Sequence, residues 1–89
     1  MNMVNETLNG YRETARYGKL KMLREQYPKG TRLELIGMDD FQAPPEGTRG
    51  TVVGVDDAGQ IMVNWDNGSS LSLIPGVDSF KAVEKTDGD

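Results

Sequence analysis

Two pairs of adjacent carboxylates, Asp39-Asp40 and Asp56-Asp57, are the residues whose type could hold a metal ion. A calcium loop needs oxygen ligands at alternating positions and a later bidentate glutamate, and neither pair has that spacing. Aspartates in turns commonly accept hydrogen bonds from nearby backbone amides. We therefore expect both pairs to form turns and assign no metal ligand. Asp66 and Asp78 are likewise expected to cap turns.

The sequence contains no histidine and no cysteine. This removes the commonest general base, the commonest transition-metal ligand and any thiolate or disulfide. The serines therefore have no histidine to activate them, and the glycines from Gly47 to Gly68 lack the spacing of a phosphate-binding loop. We expect a protein that is not an enzyme and that uses no cofactor.

An apolar, proline-containing loop and a later turn form the candidate site for a protein partner. Its residues are Phe41, Pro44, Pro45, Trp65, Asp66 and Asn67. Trp65 could be an aromatic platform for a peptide, or it could pack in the core in phase with Ile61 and Val63. Phe41 could line a groove between the loop and the turn, or it could plug the end of the core.

A second candidate site, for nucleic acid, lies in the N-terminal part of the chain. Residues 1–31 carry six Lys or Arg and three Asp or Glu, whereas the remaining residues carry four and eleven, so the charges are +3 and −7. The candidate contacts are Arg12, Arg16, Lys19 and Arg24, interleaved with Tyr11 and Tyr17. The same residues could instead form a solvated helix face, bind acidic residues of the same chain, or contact a second copy and give a homo-oligomer.

Elements that would position these residues can be read from the hydrophobic periodicity. Spacings of three and four predict a helix from Tyr11 to Tyr27, ended by Pro28. Alternating apolar residues predict a first strand over Thr31–Ile36 and a second over Thr48–Val55. Gly54 indicates a bulge that would change the facing of Val55.

Turn signals divide the rest of the chain into short strands. Asp56 to Gly59 is a hairpin turn, and Gly59 supplies the positive φ of its closing bulge. A third strand is predicted over Gln60–Trp65, a fourth over Ser69–Ile74 and a fifth over Phe80–Val83.

The predicted fold is mainly β: a small five-stranded SH3-like β-barrel preceded by an N-terminal α-helix. The expected divisions are a helical arm over residues 1–29, the barrel over 30–83 and a polar tail over 84–89. No leader pattern and no span of about 20 apolar residues is present, so we expect a cytoplasmic protein without a membrane partner.

Several motifs in residues 28–81 resemble the domain-of-unknown-function family 4314. They include G-T-R at 30–32, A-P-P-E-G-T-R-G-T-V-V-G-V-D-D-A-G at 43–59, W-D-N-G at 65–68 and L-I-P-G-V-D-S-F at 73–80. The resemblance implies a small SH3-like domain and a setting in bacterial mobile elements and phages. It implies no activity and no functional residue, and the first 27 residues lie outside it. The apolar loop and the absence of catalytic chemistry instead favour a non-catalytic protein-interaction module.

Overall fold

The structure is a computed structural model that describes residues 18–84 of the 89-residue chain. It contains a helix at residues 18–26 followed by four strands. The strands are β1 (Arg32–Gly37), β2 (Arg49–Val55), β3 (Ile61–Trp65) and β4 (Ser79–Val83). The predicted helix is thus present over residues 18–26, and its earlier part lies outside the described residues.

The four strands form one antiparallel sheet in the order β3-β2-β1-β4. In the middle of the sheet Leu33 of β1 faces Gly50 of β2, which in turn faces Trp65 of β3. On the other side Leu35 of β1 faces Phe80 of β4. The sheet is open, with β3 and β4 at its edges, so its strand count and closure differ from the five-stranded barrel expected from the sequence.

The predicted fourth strand, Ser69–Ile74, is reduced to a single bridge between Ile61 and Leu73. Each of these two residues donates its amide to the other's carbonyl at 2.8 Å. Nearer the turn, the Trp65 amide donates to the Ser69 carbonyl at 2.9 Å. The segment therefore runs beside β3 and is bonded to it at both ends.

Leu71, between these two contacts, explains why a full strand does not form. Its carbonyl accepts a hydrogen bond from the Trp65 indole Nε1 at 2.8 Å, and its amide donates to the Ser69 hydroxyl at 3.3 Å. Side chains thus bind the backbone groups that a regular ladder would direct to Val63. The prediction of a fourth strand failed because the tryptophan competes with the sheet for Leu71.

The core lies on one face of the sheet. Its buried side chains are Leu33, Leu35, Val52, Val55, Ile61, Val63, Trp65 and Leu73. The helix covers this face with Leu20 and Leu23, and the Tyr27 ring meets the Phe80 ring edge to face at 5.6 Å. Apolar contacts therefore dock the helix on the sheet, and a helix that contains a glycine depends more on such contacts than on its own propensity.

A bulge in β2 lets residues three positions apart share the core face. The register with β3 shifts between Val52 and Gly54, which leaves Val53 as the extra, exposed residue. Val52 and Val55 are consequently both buried, although strict alternation would place them on opposite faces. The bulge predicted at Gly54 is confirmed.

The turn between β2 and β3 also follows the prediction. The Asp56 carboxylate accepts from the amides of Ala58 at 3.0 Å and Gln60 at 2.9 Å, and Gly59 has a φ of 84°. Asp78 accepts from the Ile74 amide at 2.7 Å and so caps the turn before β4. In both turns, the short aspartate side chain stabilises the reversal of the chain by accepting hydrogen bonds from nearby backbone amides.

Gly50 is the point of closest packing in the sheet. A methyl group added there would lie 2.6 Å from Val63 Cγ1, 2.8 Å from Trp65 Cε3 and 3.0 Å from the Asn64 carbonyl oxygen. Real side-chain carbons do not approach to such distances, so an alanine would displace the tryptophan ring or separate the strands.

We expect Gly50→Ala to lower the free energy of unfolding by about 1–3 kcal/mol, the usual cost of overpacking a core. Urea unfolding followed by the fluorescence of Trp65, the single tryptophan, measures this. Gly37→Ala is the matched control, because a methyl group on this β1 glycine meets nothing within 4 Å. Equal midpoints for the two variants would contradict the packing argument.

Candidate interaction surface

The two segments of the expected protein-binding site lie at one end of the sheet. The loop of residues 38–48 joins β1 to β2, and the turn of residues 66–68 follows β3, which is antiparallel to β2. The Gly47 amide donates to the Leu35 carbonyl at 2.7 Å, and the Asp66 amide donates to the Arg49 carbonyl at 2.8 Å. We call residues 38–48 and 66–68 the loop end.

Phe41 is presented to solvent by a fixed turn in this loop. The Asp40 carboxylate accepts from the Gln42 amide at 2.8 Å, and the Asp40 carbonyl accepts from the Ala43 amide at 2.9 Å. Pro44 is buried just beyond. Phe41 is 97% exposed, so its ring does not plug the core.

The other expected partner-binding residues divide between core and surface. Trp65 is 3% exposed and donates its indole N–H to Leu71, which confirms the core interpretation. Pro44 is buried as well, whereas Pro45 and Asn67 are exposed. Of the two aromatic residues in the expected partner-binding site, Phe41 is accessible to a partner and Trp65 is not.

Asp66 binds Arg32, a residue that was not among the candidates. Both carboxylate oxygens accept from the Arg32 guanidinium, at 2.9 and 2.7 Å, and Arg32 also donates to the Thr51 hydroxyl at 3.0 Å. Arg32 is 8% exposed, whereas the Asp66 side chain is 54% exposed. This bidentate pair joins β1 to the turn after β3, and only the strand register brings its members together.

A second group of charges lies on the sheet face opposite the core. Glu34 of β1 contacts Arg49 of β2 at 3.4 Å and Lys81 of β4 at 3.5 Å, and it faces both residues in the register. Cross-strand pairs of opposite charge stabilise sheets modestly. Within residues 18–84 no group of three or more acidic residues is arranged to hold a metal ion.

The basic helix is tied to the sheet by Arg24. Its guanidinium contacts the Asp57 carboxylate at 2.8 Å and the Val55 carbonyl at 3.3 Å. The expected alternative of an ion pair within the chain is thus confirmed for Arg24. Arg12 and Arg16 lie outside the described residues.

Lys19 borders a groove of about 310 Å³ between the helix, the β2–β3 turn and the segment before β4. We call this the helix groove. Residues that line it include Lys19, Leu20, Leu23, Ala58, Ile74 and Pro75. The groove lies at the opposite end of β2 from the loop end, because the β2–β3 turn follows Val55. No pattern in the sequence indicates this groove, because it exists only once the helix has docked.

The fold and surface define a small antiparallel β-sheet domain with a docked helix. Residues 16–83 match the model of the family described as domain of unknown function DUF4314, and the chain belongs to this family. The motifs predicted that the first 27 residues lie outside the family domain. The match begins at residue 16, so the helix at residues 18–26 is part of the domain and this prediction is wrong. Comparison with curated proteins gave no match.

Within residues 18–84, no helix is long and apolar enough to cross a membrane.

We expect the two Arg–Asp pairs to differ in their contribution to stability. Asp66→Ala removes two charged hydrogen bonds from the buried Arg32 and should cost about 1–3 kcal/mol. Asp57→Ala, the matched control, removes an exposed pair and should cost less than about 1 kcal/mol. Urea denaturation of both variants measures the difference, and an equal loss would show that the burial of Arg32 has no energetic consequence.

Proposed function

We propose that the protein is a non-catalytic protein-interaction module whose contact surface is the loop end, with Phe41 as the central anchor. The observation that carries this proposal is a phenylalanine ring that is 97% exposed on a hydrogen-bonded turn. Burying such a ring contributes about 1.5–3 kcal/mol. Aromatic side chains of this kind dominate the affinity of many protein interfaces.

The conformation of the loop supports binding through a reduced entropic cost. Asp40 accepts hydrogen bonds from the amides of Gln42 and Ala43 and so closes the turn that contains Phe41, and the Gly47 amide holds the end of the loop to β1. A partner would therefore meet a backbone turn that is already ordered, and less backbone freedom is lost on association.

Charges around Phe41 indicate the chemistry of the partner. Asp39, Asp40 and Glu46 are all exposed in the same loop, beside the exposed Pro45. A complementary surface carries an apolar pocket bordered by lysine or arginine.

An SH3-like relationship and an accessory role in a bacterial mobile element belong to this proposal and rest on the sequence resemblance. The nucleic-acid alternative has less support in residues 18–84, because Arg24 is bound to Asp57. Binding to nucleic acid would be recognised by a steep loss of affinity with salt.

We expect Phe41→Ala to reduce the capture of protein partners from a cell lysate at least tenfold, because it removes the apolar anchor. Val77→Ala is the matched control, because it shortens another apolar side chain that is 72% exposed. Both variants should retain the wild-type unfolding midpoint. Capture is measured by quantitative mass spectrometry of the proteins retained on the immobilised chain.

Unchanged capture by a folded Phe41→Ala variant would refute the site. Equal loss with Phe41→Ala and Val77→Ala would show that binding is not specific to the loop end.

A further inference from the structure

We propose that the Phe41 loop of one copy inserts into the helix groove of a second copy, so that the protein associates head to tail. This inference rests on the proposed function, because it names a partner for the same contact residue. It follows from three properties of the described residues: the size of the groove, its charge and its position.

The helix groove has the size and polarity to receive one aromatic side chain. Its volume of about 310 Å³ lies at the lower limit of pockets that bind small ligands. Leu20, Leu23 and Pro75 provide apolar walls, and Ile74 at the margin is 42% exposed. A Phe41 ring that enters this space would remove water both from its own apolar surface, which is 97% exposed, and from the walls of the groove.

The charges at the two surfaces are opposite. Asp39 and Asp40 directly precede Phe41 and are exposed, whereas Lys19 lies at the groove. Asp57 also borders the groove, but its carboxylate is bound by Arg24 at 2.8 Å. The Lys19 ammonium is therefore placed to meet the carboxylate of an incoming Asp39.

The positions of the loop and the groove determine the kind of assembly. Phe41 lies in the loop before β2, and the groove is beside the turn after β2. A single contact between two different surfaces leaves one loop and one groove unoccupied in a dimer. The association therefore extends with concentration, or closes once every loop and every groove is filled.

Sedimentation velocity of the full chain from micromolar to millimolar concentration tests the proposal. Wild-type protein should show an increase in average mass with concentration. Phe41→Ala should weaken association about tenfold to a hundredfold, the effect of losing one buried phenylalanine ring. Val77→Ala should associate as the wild type does.

A mixing experiment tests the pairing of the two surfaces. Ala58 is an exposed residue of the groove, so Ala58→Trp should fill the groove and leave the loop unchanged. Phe41→Ala retains the groove, and Ala58→Trp retains the loop. Each variant alone should be monomeric, whereas an equimolar mixture should form a dimer that grows no further.

A charge exchange provides a second test that does not depend on packing. Lys19→Asp should weaken association, and the double variant Lys19→Asp with Asp39→Lys should restore it. A merely structural effect of Lys19 would not be reversed by a substitution in a distant loop.

The proposal is overturned if the wild type is monomeric at all concentrations, if Phe41→Ala associates as strongly as the wild type, or if mixing gives no dimer. Lysate capture distinguishes this failure from failure of the proposed function. A monomeric chain that still captures another protein through Phe41 refutes the self-association alone. A Phe41→Ala variant that changes neither capture nor association refutes both.

Discussion

The packing of the Trp65 ring against the Gly50 backbone is the contact on which the rest of the structure depends. Any side chain at Gly50 would occupy the space of the ring, and the ring in turn closes the core at 3% exposure. The indole N–H then directs the following segment by binding the Leu71 carbonyl. A single side chain therefore seals the central strands and interrupts the pairing of the segment that leaves them.

The inward position of Trp65 also organises the opposite face of the sheet. Successive residues of a strand point to opposite faces, so a tryptophan fixed in the core directs Asp66 away from it. There the Asp66 carboxylate accepts hydrogen bonds from both Nη atoms of Arg32. Arg32 is adjacent in sequence to the buried Leu33. The apolar contact and the ion pair thus reinforce one another across the sheet, because each holds the end of β3 in the same register.

Local signals in the sequence were sufficient for the hairpin at Asp56–Gly59 and the bulge at Gly54, since both depend on the conformational preferences of a few adjacent residues. They were insufficient for Ser69–Ile74, where alternation predicted a strand and the Trp65 indole displaced the ladder. The Arg32–Asp66 pair and the helix groove were not predictable for a related reason. Both join residues far apart in the sequence, and no periodicity encodes which strand will lie beside which.

The exposure of Phe41 requires an explanation that the exposure of other apolar side chains does not. Single apolar side chains at a protein surface are common, so Met22 and Val77 need no explanation. Phe41 has a larger apolar side chain than Val77, and its ring is almost wholly exposed. The hydrogen bonds of Asp40 hold the turn that presents this ring. The core of a small domain gains from each additional buried ring, so a loop that keeps a phenylalanine outside forgoes stability. That loss is understandable where the ring is buried against another molecule, which is the contact proposed for the loop end.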